Sequence, residues 1–476
     1  MPRGYPASAG RSGAANSRPQ EGRVLQTVLR AILDGFIRQP VRIVPVAFAA
    51  GILAATGLLM LPVAQADPGS TRFVDALFTA TSAIAVTGLV TVDTPTHWSG
   101  FGEAVILGCM QLGGLGIMTT AAFLGMLVSR KLRLRSKLMT QAELHPSISL
   151  GDVRSVLRFA MLFTLVVEGT FAAILALRFH FAYDLGAGEA TWHGVFHSVA
   201  AFNNAGFALY SDSIIGFATD PWISLPLAFG TVLGGLGIPV VYELLRRRSQ
   251  LTWSLHTKMT LAGTAVLLFG GWLVLLALEW SNPGTFGQFA WHERFLPAFF
   301  QSAVLRTSGF NSIDVGQLND DSLLVSMVLM FIGGGSASTA GGIKVTTFFM
   351  LMLVIWAEIR GERDASAFRR SLPMPVVREA LTVALVYLAL NVVAVMLMQR
   401  FEPDIMLAPI MFEVVSAAAT VGQSTGITYD LGDPSKWLLA IVMYGGRIGP
   451  VLFATSLAMA TRKRLYRYPE TRPLVG

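Results

Sequence analysis

FTATSAIAVTG, residues Phe78 to Gly88, decides the fold, because three other stretches share its frame. FHSVAAFNNAG ends at Gly206, FFQSAVLRTSG at Gly309 and FEVVSAAATVG at Gly422. In each, a phenylalanine (Phe78, Phe196, Phe299, Phe412) stands ten residues before the glycine. A chain with 30 Phe and 47 Gly yields one such pair by chance, but four in similar context along the chain form an internal repeat. Each copy is built of small and apolar residues and falls well short of the roughly 20 helical residues that cross a hydrocarbon core. Such a segment enters and leaves a membrane by the same side.

The surrounding sequence supplies the membrane. Of 476 residues, 53% are hydrophobic and 14% charged, and the mean hydropathy is +0.57, far from the composition of a soluble domain. Eight apolar runs, near 42–64, 103–128, 157–179, 221–245, 258–280, 322–357, 378–400 and 436–461, are long enough to span. One Phe-to-Gly stretch lies between the two runs of each successive pair. The expected fold is therefore all-α and integral to the membrane. Four pseudo-symmetric repeats of helix, re-entrant pore helix with filter loop, and helix surround a central pore, at 42–128, 157–245, 258–357 and 378–461. Residues 1–41 are polar and lack the apolar core of a signal peptide, which predicts a flexible cytosolic arm. Residues 462–476 form a tail. The single cysteine, Cys109, excludes a disulfide framework and a CxxC metal site.

Charge orients the chain. The segments 1–42, 130–158, 246–258, 360–378 and 462–476 hold 28 of the 36 Lys and Arg. Beyond the membrane, the segments joining the two runs of each repeat hold only Arg72, Arg178, Arg294, Arg400 and Lys436. By the positive-inside rule both termini are cytoplasmic and the re-entrant stretches enter from outside. The formal charge of +7 thus reports topology, and no nucleic-acid partner is expected. RKLRLRSK (Arg130 to Lys137) and RRR (Arg246 to Arg248) read as stop-transfer charge. The opposite side carries 17 acids, which would concentrate cations at a pore mouth.

Four glycine turns around one axis have a specific chemistry. Irregular backbone at membrane depth survives where protein buries it or where it lines a wet cavity. A ring of carbonyls replaces the hydration shell of an alkali cation, and glycine permits the positive φ that aims a carbonyl at the axis. Half-helices entering from outside point their negative C-terminal ends at the membrane centre. Selective cation permeation follows. GG pairs recur downstream of every turn, in GGLGI (Gly113 to Ile117 and Gly234 to Ile238), GGGSASTAGGIK (Gly333 to Lys344) and GGRIG (Gly445 to Gly449). They are read either as helix packing or as a shared role below the turn. The third of these puts five glycines and three hydroxyl residues mid-membrane, where a broken helix is expected.

TSAIAVTGLV, AFNNAGF, LRTSGFNSID and ATVGQSTGIT, with GGGSASTAGGIKVTT before the last, resemble the Ktr/Trk/HKT potassium transporter superfamily over residues 42 to 461. Eight spans directly after a cytosolic arm resemble its KtrB-type subunits in particular. The resemblance implies a potassium filter at Gly88, Gly206, Gly309 and Gly422, with neighbouring carbonyls from Thr87, Ala205, Ser308 and Val421. Gly88, where sodium-selective plant relatives have serine, implies potassium. Gln423 after the fourth glycine departs from Leu89, Phe207 and Phe310, and its effect stays open. The resemblance further implies a gating intramembrane loop at 333–342, built from Gly333, Gly334, Gly335, Ser336, Ser338, Thr339, Gly341 and Gly342, with Lys344 following it. Arg447 is implied as a positive barrier beneath the filter. A homodimer in the bacterial inner membrane, a cytosolic KtrA-like ring that binds ATP or ADP, and sodium activation are also implied.

The remaining polar residues carry plainer expectations. Glu168, Glu243 and Asn391 read as interhelical hydrogen-bonding groups. Arg306 and Glu413 read as braces of the third and fourth half-helices, by paired charge or backbone carbonyls. His193 and His197 have the i,i+4 spacing of two metal ligands but no HExxH and no third ligand, so an interfacial place is expected. GGGSASTAGG lacks the GK[ST] ending of a phosphate loop. An intramembrane enzyme is not expected. An alternating-access cation symporter remains the competing reading, since broken helices also mark such carriers.

Overall fold

The computed structural model describes residues 43–116, 150–246, 253–362 and 364–459. The arm 1–41, RKLRLRSK, Arg247, Arg248, the end of the second expected span and the tail 462–476 lie outside the described residues. Fourteen helices carry the architecture among the described residues. They are α1 (Ile43–Leu59), α2 (Phe73–Ala85), α3 (100–116), α4 (Leu150–Ala182), α5 (Ala187–Asn203), α6 (Pro221–Leu236), α7 (Ile238–Arg246) and α8 (Leu255–Glu279). After them come α9 (Phe295–Val304), α10 (Asp320–Phe331), α11 (Val345–Ile359), α12 (Met374–Phe401), α13 (Leu407–Ala419) and α14 (Asp433–Met459). A small hairpin pairs Ser366–Ala367 with Arg370–Ser371 between α11 and α12.

Two kinds of helix divide the work. Among the described residues α4 (from Arg158), α8 and α12 are unbroken and apolar enough to cross a membrane. They leave Leu162, Leu165 and Val166 of α4 and Leu388, Val392 and Met396 of α12 exposed, as a lipid-facing rim does. The chain is a multi-pass membrane protein. The helices α2, α5, α9 and α13 have only 13, 17, 10 and 13 residues. At 1.5 Å per residue they are about 15–25 Å long. They sit inside the rim, where Phe78, Phe196 and Phe412 are fully buried and Phe299 is half-buried.

Two expected spans are broken. The run 322–357 parts into α10 and α11 around residues 332–344, as its glycine content predicts. The run 221–245, expected to be one helix, bends by 95° between α6 and α7. Gly237 at the bend has φ +90°, and the free backbone groups there find partners in the 332–344 loop. The same pentapeptide, GGLGI, stays helical at Gly113 to Gly116 in α3. The residue after the motif differs: Met118 follows the first copy, while Pro239 follows the second, offers no N–H to the Gly235 carbonyl and suits the first turn of a new helix.

At the acid-rich end, ion pairs join the first and last quarters of the chain. Lys436 Nζ lies 2.8 Å from Asp75 Oδ1, both side chains buried, and Arg72 bonds Asp433 and lies 3.8 Å from Asp75. The hydrogen bond to Asp433, then the charges of Asp433 and Asp75, hold the Arg72 guanidinium above its usual range. Arg178 donates to Asp220 at 2.7 Å, and Arg294 donates to the carbonyls of Trp280, Phe289 and Gly287.

Candidate functional site

The four short helices end in one backbone device. Val86, Asn204, Thr307 and Thr420, each two residues before a repeat glycine, have φ of 56°, 61°, 85° and 50°. Gly88, Gly206, Gly309 and Gly422 have φ of 96°, 69°, 75° and 95°. The residue between is not left-handed, so the sign of φ alternates. Alternation gathers successive N–H groups on one side and turns the carbonyls to the other. The N–H side faces the helix: Thr87, Ala205, Ser308 and Val421 donate to Ser82, Ala200, Val304 and Ser416 carbonyls at 2.7–2.8 Å. The Ser82 and Ser416 hydroxyls also accept from the Gly88 and Gly422 N–H groups, at 3.0 and 3.1 Å. Val86, Thr307 and Thr420 are β-branched, and a left-handed backbone costs such residues about 1–2 kcal/mol each. Strain of this kind collects at functional sites.

The turns touch in a closed order. A Cβ on Gly88 would overlap the Ala205 carbonyl oxygen, one on Gly206 that of Ser308, one on Gly309 that of Val421, and one on Gly422 that of Thr87. The sequence-predicted residues Thr87, Gly88, Ala205, Gly206, Ser308, Gly309, Val421 and Gly422 therefore form one ring in chain order. The four non-glycine side chains are fully buried. Their chemical differences are hidden behind carbonyls that are alike.

Side chains behind the ring lock neighbouring turns together. Gln301 of α9 donates to the Gln423 side-chain oxygen at 2.9 Å, and Gln423 donates to the Phe310 carbonyl at 2.7 Å. The fourth turn's odd residue thus ties it to the third. The Asn204 amide and Thr307 hydroxyl hydrogen-bond at 3.1 Å, and the Thr231 hydroxyl donates to that of Ser308 at 2.9 Å. Nine residues before their glycines, His197 and Glu413 are fully buried. His197 accepts from the Leu209 N–H at 3.2 Å and Glu413 accepts from the Thr428 hydroxyl. His197 is therefore a buried brace and not an interfacial group. Among the described residues no cluster of three His, Cys, Asp or Glu could hold a metal. Arg306 reaches the Thr264 carbonyl at 3.4 Å, a backbone brace. Glu168 joins α3 and α5 through Gln111 and Asn203, and Glu243 accepts from Ser254 and Thr257 at the start of α8. Asn391, expected to link helices, instead donates to Tyr387 in its own helix.

Below the ring, Gly113, Gly234 and Gly446 approach the carbonyls of Ile84, Phe202 and Ala418, each four residues before a ring glycine. In the third quarter the glycines at the matching place in the sequence belong to the loop. It closes on itself, with Gly333 N–H on Ile343 O at 2.9 Å, Ile343 N–H on Phe331 O at 3.1 Å and Val345 N–H on Gly334 O at 3.0 Å. The Ser338 hydroxyl donates to the Gly335 carbonyl at 2.6 Å, and Ser336 faces Thr346 at 3.5 Å. Gly341 lies against Thr420 and Ala419, under the fourth turn, and Gly342 has φ +63°. Lys344 Nζ donates to Ala340 O at 2.6 Å, bracing its own loop. Arg447, 3% exposed, donates from one terminal nitrogen to the Thr339 carbonyl, while its Nε and Nη2 bond no protein atom among the described residues.

Sequence reasoning located the glycines and the loop. It missed the left-handed Val86, Asn204, Thr307 and Thr420, the caps Ser82 and Ser416, the Gln301 partner of Gln423, and Gly237. Of these Asn204 carried a signal, as an asparagine tolerant of positive φ, and so did Gly237, as a glycine two residues before Pro239.

Known proteins are similar to this chain over nearly its whole length. The sequence pattern of TrkH, a cation transport protein, matches residues 37–462. The chain is 37% identical to the Ktr system potassium uptake protein B of Bacillus subtilis (strain 168), over 92% of this chain and 97% of that protein. It is 38% identical to the protein of the same description from Vibrio alginolyticus, over 91% and 94%. With the potassium/sodium uptake protein NtpJ of Enterococcus hirae identity is 35%, over 92% and 97%. The crystal structure of the potassium transporter TrkH from Vibrio parahaemolyticus superposes with a TM-score of 0.69 at 18% identity, covering 89% of this chain and 85% of that one. That likeness shows the fold, and the sequence matches show the family. This chain, a transporter and not an enzyme, belongs to the TrkH family of cation transport proteins.

Proposed function

We propose that the chain takes up potassium across the bacterial inner membrane through a channel-like pore. Four repeats, 42–128, 157–245, 258–357 and 378–461, surround the pore, and both termini are cytoplasmic. Carbonyls at Thr87, Gly88, Ala205, Gly206, Ser308, Gly309, Val421 and Gly422 form the selectivity filter and replace the hydration shell of the ion. The loop 333–342, Lys344 and Arg447 form the gate beneath, with the guanidinium as a positive barrier to a cation leaving the filter. The observation that carries this reading is the closed contact order of the four turns, in which each glycine meets the carbonyl oxygen before the next. The names of the Bacillus and Vibrio relatives support potassium as the ion, and that of the Enterococcus relative gives sodium a place as an activator or second ion. A protein of a Ktr system implies companion subunits, which we take to be a second copy of this chain and a cytosolic nucleotide-binding ring with ATP or ADP on that ring alone.

Reconstitution into proteoliposomes tests the proposal. Potassium flux should follow the membrane potential without a stoichiometric counter-ion. Strictly coupled exchange would replace the pore with an alternating-access symporter, and no potassium flux in any condition would end both readings. Copurification with a nucleotide-binding protein tests the companion ring.

A further inference from the structure

The break in span four does something that helix packing does not. Three main-chain hydrogen bonds cross from it to the intramembrane loop: Gly335 N–H to Gly235 O at 2.7 Å, Thr339 N–H to Gly234 O at 3.2 Å, and Ile238 N–H to Ala337 O at 3.3 Å. A continuous helix would close the Ile238 N–H on the Gly234 carbonyl, and Pro239 has no N–H for the Gly235 carbonyl, so the 95° bend turns all three groups to the loop. The approach is close enough that a Cβ on Gly237 would overlap the Ser336 carbonyl and one on Gly335 the Leu236 carbonyl.

Thr339 is the centre of this contact. Its N–H goes to Gly234, its hydroxyl donates to the Phe202 carbonyl at 3.1 Å, and its own carbonyl accepts from Arg447. It is fully buried. One loop residue therefore joins α6, the end of α5 directly under the second filter turn, and α14. We propose that the Gly234–Gly237 break is the seat of the loop and that Thr339 is the latch holding it there, so that the pore opens when the loop leaves span four. This rests on the pore reading above and deepens it. It also gives α7 a task. That helix begins at the seat, and its Glu243 accepts three hydrogen bonds from Ser254 and Thr257 at the start of α8. The helix thereby ties the seat of the loop to the start of α8.

The test compares basal potassium flux of purified, reconstituted variants. Thr339→Val keeps the shape and both main-chain bonds but loses the hydroxyl donor, and should raise basal flux roughly fivefold, the weight of one hydrogen bond. Thr339→Ser restores the donor and should return flux to the wild-type level. Gly237→Ala should also raise flux, and the double variant should not exceed the larger single effect, because both release one contact. Gly116→Ala is the control. It alters the matching glycine of the first GGLGI, where among the described residues a Cβ would meet the Phe48 ring at 3.9 Å, an ordinary contact, and flux should not change. Hydrogen exchange at the Gly335 and Thr339 amides reads the latch without transport and should quicken in Thr339→Val. Wild-type flux with no response to Thr339→Val, or amides that exchange as in the wild type, overturns the latch and leaves the pore standing. Absence of potassium flux from every variant overturns the pore reading, and the exchange result then decides the latch alone.

Discussion

The ring of turns and the layer beneath it are built from the same four quarters of the chain, yet they treat those quarters differently. In the ring each glycine makes the same contact, the carbonyl of the residue before the next glycine, and the four side chains at that residue are turned away. Beneath it the first, second and fourth quarters repeat one glycine-to-carbonyl contact, while the third substitutes a hydrogen-bonded loop and the fourth adds Arg447. Equivalence suits a task that depends on coordination by like groups. Inequality suits a task in which one element moves against fixed neighbours.

The sharpest way to break this comparison is substitution around the ring. Alanine at Gly88, Gly206, Gly309 or Gly422 meets both a positive φ and an overlapping carbonyl, so each should abolish selective potassium flux, and to a similar degree. Radiotracer uptake checks this, and a position that tolerates alanine would show that the quarters are not equivalent. Gly88→Ser should admit sodium along with potassium, since the carbonyl of Ala205 must move to make room. Below the ring the same change should act unequally: Gly234→Ala meets both the Phe202 carbonyl and the Thr339 side chain, whereas the nearest atoms to Gly446→Ala all belong to the Ala418 backbone.

A second test concerns what keeps the ring closed. The seam between the first and last quarters rests on the buried Asp75–Lys436 pair, while the seam between the third and fourth uses the neutral Gln301–Gln423 bridge. Lys436→Met leaves the buried Asp75 carboxylate with only the longer 3.8 Å pair to Arg72 and should cost about 3 kcal/mol of stability in a denaturation series, with much of it recovered in Asp75→Asn/Lys436→Met. Gln423→Leu leaves the Phe310 carbonyl and the Gln301 amide unpaired, a smaller loss of about 1–3 kcal/mol. Its readout is a fall in potassium-over-sodium preference with flux retained.

How far the sequence revealed these regions depends on what each glycine had to satisfy. The ring glycines were legible because a fixed spacing of ten and a need for positive φ both leave marks in the chain. The left-handed Val86, Thr307 and Thr420 left none, since β-branched residues disfavour that conformation and only the packed surroundings impose it. GGLGI is the clearest limit. One copy is helical as far as Gly116, the last described residue there, and the other breaks at Gly237, although the five residues are identical. The first difference is the next residue, Met118 in one copy and Pro239 in the other, and the backbone groups that the proline-marked break turns outward are met by a loop about 100 residues further along the chain. Gln423 was visible as an odd residue, but its partner Gln301 lies 122 residues away and could not be paired by spacing.

The smallest expected effect sharpens the comparison most finely, because it probes an asymmetry inside the ring. Six residues before their glycines, Ser82 and Ser416 cap the Gly88 and Gly422 N–H groups, while the matching residues of the second and third quarters are Ala200 and Ala303. By chain order the capped turns are neighbours, and so are the uncapped ones. Ser82→Ala should cost about 1 kcal/mol, the net weight of one hydrogen bond, and lower the stability of the first turn alone. Thermal unfolding monitored with and without potassium separates the two consequences. If the cap only stabilises the helix end, the transition shifts equally in both conditions. If it also fixes the direction of the Thr87 carbonyl, the stabilisation gained from potassium shrinks as well. The second outcome is expected, because the Gly88 N–H and the Thr87 carbonyl belong to one planar peptide unit, and releasing the first lets the second rotate.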